Sequence, residues 1–232
     1  MNSKVARRQT CLRWDIGSVL IFAMFLAGIA AILPAHGNDA FERFLGTIHP
    51  ALAIALAAFL AIPAMHYLMH QHGFSRPTWR QTRRGLPVTL GFALIFAIGV
   101  IAVDLGLRYP ETINVPLPQA LFFYPPIGFF VDLVFHTILP ALLLLLQRPL
   151  IHWLGERRAV WIAILLAASV EPLLQVIWAG SLSWTELYTA ISVFLFGIAQ
   201  LMIFRKYGFL AMYSMRLTYY LFWHIVWGYF RL

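Results

Sequence analysis

Charge is what this chain has least of. Only 11% of its 232 residues are Asp, Glu, Lys or Arg, where soluble domains carry roughly 25%. Too few polar side chains remain to clothe a soluble globule, and the polar excess of a disordered tail is missing. The lone cysteine, Cys11, excludes an intrachain disulfide and a Cys-based metal site. Also missing are Gly-Xaa-Ser-Xaa-Gly, a phosphate-binding glycine loop and His-Glu-Xaa-Xaa-His. Their absence argues against the corresponding hydrolases, nucleotide binders and commoner zinc proteases.

What is there is apolar. Hydrophobic residues make up 61% of the chain and the mean hydropathy is +0.78. Runs of about 20 mostly apolar residues are long enough to span a bilayer. Seven can be read: Asp15–Pro34, Pro50–Met69, Leu86–Leu107, Gln119–Leu146, Ala159–Trp178, Glu186–Phe204 and Phe209–Gly228. The expected fold is therefore all-α, one polytopic membrane bundle of about seven helices without internal repeats. The run after Arg13 reads as an uncleaved anchor, because its apolar core is long for a signal peptide. Pro125, Pro126 and Pro140 interrupt the fourth run. They predict an interfacial piece around Phe122–Pro126 and a kink near Pro140.

The formal charge is +8, yet the basic residues sit in short gaps between apolar runs, which excludes a nucleic-acid face. If every run crosses, Lys4, Arg7, Arg8 and Arg13, then Arg76, Arg80, Arg83 and Arg84, fall on one side. Arg148, Arg157, Arg158, Arg205 and Lys206 join them there, while only Arg43, Arg108 and Arg231 fall on the other. The positive-inside rule then places a basic tail (1–14) and a basic loop (70–85) in the cytoplasm and the C-terminus on the opposite side.

Ionisable groups within an apolar run cost at least about 2.5–3.5 kcal/mol each on insertion scales, so they mark function or pairing. Asp104, Asp132, His136, Glu171, Arg216 and His224 are such groups, with Gln175 and Gln200 as uncharged companions. At 1.5 Å rise per residue, His136 lies about 15 Å from the cytoplasmic end, Glu171 about 18 Å, and Asp132 and His224 about 21–23 Å. Asp132 and His136 share a helix face, as do Glu171 and Gln175. Two carboxylates and two imidazoles in one layer suit a zinc-type site with a carboxylate base. They equally suit a proton relay or a hydrogen-bond knot between helices. By its depth, Arg216 snorkels to the headgroups in preference to pairing with a carboxylate, and Asp104 faces solvent near its helix end. His66, His70 and His72 read as an interfacial anchor, and His152 with Trp153 as interface residues.

The C-terminal part carries a resemblance. Phe194-Leu195-Phe196-Gly197, Phe204-Arg205-Lys206-Tyr207-Gly208 and Tyr220-Leu221-Phe222-Trp223-His224-Ile225-Val226-Trp227-Gly228 resemble the end of the CAAX-protease and bacteriocin-processing (CPBP) family. That family's motifs are Glu-Glu-Xaa-Xaa-Xaa-Arg, Phe-Xaa-Xaa-Xaa-His and His-Xaa-Xaa-Xaa-Asn. Carried over, His224 takes the third-motif histidine, with Gly228 in place of Asn. Glu171 falls near the second-motif histidine, with Ala167 for its phenylalanine. Asp132 and His136 fall at the first motif, where Val131 replaces the paired glutamate. The resemblance implies a divergent intramembrane metallo-endopeptidase in a bacterial inner membrane, acting on a membrane-bound peptide. Glu171 or Asp132 would be the general base, and His136, His224, Asp132 and Glu171 would hold zinc or water. The alternative is a non-catalytic structural or partner-binding membrane protein, or a proton-coupled carrier using the same layer.

Overall fold

The computed structural model describes residues 3–35, 40–76, 78–110, 113–180 and 183–231, with side chains from Gly17 onward except Ser18 and Ala35. Among these residues every regular element is helical. The helices are α1 (Ser3–Ala35), α2 (Glu42–Leu45), α3 (Pro50–Gln71), α4 (Trp79–Leu107), α5 (Gln119–Leu133) and α6 (Leu139–Leu146), followed by α7 (Ile151–Leu154), α8 (Glu156–Ala179), α9 (Trp184–Tyr207), α10 (Phe209–Tyr220) and α11 (Gly228–Arg231). A π-helical turn at Val134–Ile138 joins α5 to α6, and a second at Leu221–Trp227 joins α10 to α11.

Among the described residues five helical runs are long and apolar enough to cross a bilayer: α3, α4, the α5–α6 run, α8 and α9. The other two expected spans take a different form. The apolar part of α1 is Val19–Pro34, and the final run, Phe209–Arg231, is helical throughout but divided by its π turn. Side chains such as Ile21, Phe59 and Ile95 are largely exposed, Phe59 to 71%. That pattern suits lipid, where exposed hydrocarbon carries no penalty.

Two expectations about where the helices begin and break need correction. The basic segment 70–85 is only partly a loop, because α4 begins at Trp79. Its first turns, rich in Arg and Gln, need no apolar surface to be helical. Nor is Phe122–Pro126 a separate piece: α5 runs through Pro125 and Pro126 without a break. The distortion lies next to Pro140. Lacking an N–H, Pro140 cannot bond the His136 carbonyl, and its ring crowds that oxygen. The chain responds with the π turn at Val134–Ile138, and Thr137 Oγ1 donates to the Asp132 carbonyl at 3.1 Å.

Loop contacts define the ends of the bundle. Ser75 N donates to the Arg205 carbonyl at 3.0 Å, and His72 lies 3.8 Å from Glu156. The α3–α4, α7–α8 and α9–α10 connections thus share one end, the basic one. At the other end Asp104, expected to face solvent, is 3% exposed. It accepts from Tyr109 N (2.8 Å) and Trp227 Nε1 (2.7 Å) and pairs with Arg231 Nε at 3.0 Å. That carboxylate ties the end of α4 to α11.

Between these ends α4 and α10–α11 run parallel. The buried residues Thr82, Gly85, Thr89, Ala93, Ala97, Val100 and Asp104 of α4 recur every three or four positions, one stripe of a helix. Gly85 faces Tyr207 and Ala211, Ser214 Oγ donates to Thr89 Oγ1 at 3.5 Å, and Val100 packs beside Trp223.

Candidate functional site

Asp132 occupies the last turn of α5, fully buried, and the π turn keeps His136 beside it, Nδ1 to Oδ1 3.4 Å. From α10 the Arg216 side chain, 3% exposed, crosses towards both. It does not snorkel. Its Nε donates to Asp132 Oδ1 at 2.7 Å, and Nη1 donates to Glu171 Oε1 (3.3 Å) and Tyr220 Oη (3.1 Å). Nη2 donates to Glu171 Oε2 (3.1 Å) and Gln200 Oε1 (2.8 Å). A guanidinium has five N–H donors, and all five are used. Gln200 Nε2 closes the ring by donating to Asp132 Oδ1 at 3.0 Å. One cation therefore joins α5, α8, α9 and α10. Arg216 turns away from the headgroups that its depth favours, because two membrane-buried carboxylates without a counter-charge cost far more than one long side chain turned inward.

Two glycines make room for this arrangement. A Cβ on Gly128 would sit 2.9 Å from Tyr220 Cε2 and 3.2 Å from Arg216 Cδ. One on Gly197 would sit 3.3 Å from His136 Nε2 and from Ala168 Cβ. The missing methyls let Arg216 and His136 lie against neighbouring backbones. Among the described residues Asp132 Oδ2 and His136 Nδ1 find no hydrogen-bond partner, although each can make one.

The sequence layer of four divides here. Asp132, His136 and Glu171 gather around Arg216. His224 instead has its own partners: its Nδ1 shares a hydrogen bond with Asn114 Oδ1 at 2.7 Å, and its ring stacks on Tyr124 at 4.5 Å. Asn114, in the loop before α5, carried no sequence signal. Arg216 did carry one, because it is the only Lys or Arg deep inside an apolar run and two buried carboxylates require a cation. Of the other histidines, His66 and His70 stack at 4.3 Å on an exposed face of α3. His72 is buried, and that burial pushes its imidazole below the usual range despite the opposing pull of Glu156.

The residues do not fit zinc. Among the described residues no group of three or more His, Cys, Asp or Glu is placed to hold a metal. A guanidinium also stands between Asp132 and Glu171, where a divalent ion would have to sit, and it donates only.

Beside this knot lies a cavity of about 920 Å³. Its floor includes Glu171, Arg216 and Tyr220, and its walls include Tyr124, Trp178, Phe196, Tyr219, Trp223 and His224. The cavity exists because α8 packs along α9 but meets the α5–α6 run at the π turn and at α6. Beyond Glu171, towards Ala179, α8 therefore draws away from α5. Gln175, one turn from Glu171, lines the gap.

No family model, no curated protein and no solved structure matches this chain.

Proposed function

We propose that this chain is a seven-crossing membrane protein that binds an amphiphile drawn from the bilayer, with the Arg216 knot as the floor of its binding cavity. The observation that carries the reading is the saturation of Arg216 beside an aromatic-walled void. Its donors are spent on joining four helices, and the void is left for a guest. The volume falls within the roughly 300–1,000 Å³ typical of small-molecule sites. A helix about 10–12 Å wide would fill it with only about six residues, so a lipid-sized molecule suits it better than a spanning segment.

The CPBP resemblance supports a shared scaffold with altered chemistry. Phe196-Gly197-Ile198-Ala199-Gln200 has the second-motif spacing with an amide for the imidazole, and Gln200 bonds Asp132 at the first-motif position. On that alignment Gln200 is a better counterpart of the second-motif histidine than Glu171. A second reading, hydrolysis of a membrane-bound peptide with Glu171 as general base, draws support from one observation: Glu171 and His224 line the same cavity.

Filling the void separates the two readings from a purely structural protein. Protein released in mild detergent is expected to retain one membrane amphiphile per chain by native mass spectrometry. Val193→Trp, which projects into the cavity, is expected to lose it at unchanged melting temperature. A guest-free native protein, or one carrying stoichiometric zinc that is lost on both Asp132→Ala and His224→Ala, would overturn the proposal.

For topology we adopt seven crossings in a bacterial inner membrane with the basic end in the cytoplasm. An alkaline phosphatase reporter fused after Leu232 should be active and one near Gln81 inactive; activity at Gln81 reverses the orientation.

A further inference from the structure

We infer that the guest's polar end is a primary ammonium, held by Glu171 at the floor of the cavity; this rests on the cavity being a binding site. Donor and acceptor inventories decide the sign. Arg216 has no N–H left to offer an anionic headgroup, since all five are engaged within the protein. Glu171 is the reverse case. Each of its oxygens accepts one bond, both from Arg216, and an ionised carboxylate has about four acceptor sites. Its side chain is 16% exposed, and it is exposed into the cavity.

Net charge points the same way. Among the described residues, Asp132, Glu171 and Glu186 face Arg43 and Arg216 around this void and its floor, three carboxylates against two guanidiniums. One negative charge is left in a medium where unbalanced charge is expensive. Glu186 is already engaged as the α9 capping carboxylate, accepting from Ser183 N at 3.0 Å. Glu171 is thus the carboxylate placed to meet a guest. Aromatic walls such as Tyr219 and Trp223 suit both a cation and the alkyl chain behind it. The competing way to balance the charge is a proton on His136 or Asp132, the two groups of the knot whose buried atoms find no partner among the described residues.

The test uses the full-length protein in phosphatidylcholine nanodiscs and four probes with the same chain: dodecylammonium, dodecyltrimethylammonium, dodecanol and dodecyl phosphate. Dodecylammonium is expected to bind about tenfold or more tightly than dodecanol, as befits a charge-assisted hydrogen bond in a dry site. The quaternary analogue, which has no N–H, should fall between them, and dodecyl phosphate should bind weakest. Glu171→Gln should remove the preference for the ammonium and leave dodecanol binding in place. Because that change touches the knot, Gln175→Lys is the control: it places a cation one turn away and should weaken both ammonium probes while leaving dodecanol binding in place. Equal binding of all four probes, unchanged by either variant, would overturn the ammonium assignment and leave the cavity reading standing. No binding of any probe to the native protein, together with no effect of Val193→Trp, would overturn both.

Discussion

Arg216→Met is expected to be the most damaging single polar substitution in this protein. It leaves Asp132 and Glu171 buried without their common cation and leaves Gln200 Oε1 and Tyr220 Oη each short of a donor. Removing one partner of a buried ion pair typically costs about 3–5 kcal/mol, a large share of the stability of an ordinary domain. The expected result is a variant that fails to accumulate as a monodisperse species in mild detergent. Arg216→Lys should recover only part of the loss, since one ammonium with three donors cannot satisfy four acceptor residues arranged for a planar fork. The informative variant is the triple change Arg216→Met, Asp132→Asn, Glu171→Gln. It removes the whole charge set at nearly constant volume, so no uncompensated charge is left buried, and the two amides can bond each other, Gln200 and Tyr220. Recovery of monodispersity and melting temperature in the triple variant is the outcome that establishes the knot as an electrostatic unit. A well-folded Arg216→Met protein would sink the idea.

The helical character, the apolar runs and the identity of the buried charges were legible in the sequence because each follows from composition or from a period of known rise. Asp132 with His136 was legible as well, since i and i+4 share a face even across the π turn. What could not be read was which groups meet across helices. Depth along a helix says nothing about rotation around it: His224 matches the layer in depth, yet its partners are Tyr124 and Asn114. The position of Arg216 near the basic end suggested escape to the headgroups; its long side chain carries the charge inward. The Asp104 cluster was missed for a related reason. Its partners, Trp227 and Arg231, lie more than a hundred residues away, and only the parallel packing of α4 with α10–α11 brings them together.

Gly85→Leu is the apolar counterpart, and its expected effect is as large. Without a hydrophobic driving force between helices in lipid, association depends on close backbone approach at small residues and on van der Waals contact. The stripe Gly85, Thr89, Ala93, Ala97 on α4 is such a surface, and Gly85 is its tightest point. A Cβ there would lie 2.7 Å from Tyr207 Cβ and 3.2 Å from Ala211 Cβ. Neither is the free end of a flexible side chain, so relief requires the backbones to separate. The displacement would pass along the parallel pair, opening the Thr89–Ser214 contact and drawing α10, with Arg216 on it, away from Asp132. Overpacking at one buried site commonly costs about 1–3 kcal/mol, and here the knot would be weakened as well. Gly85→Leu is therefore expected to lower the melting temperature and bound-amphiphile occupancy together, whereas Gly91→Leu on the same helix, where a Cβ meets nothing within 4 Å, should change neither. If Gly85→Leu melts with the native protein and keeps its guest, the α4–α10 contact does not position the floor of the cavity.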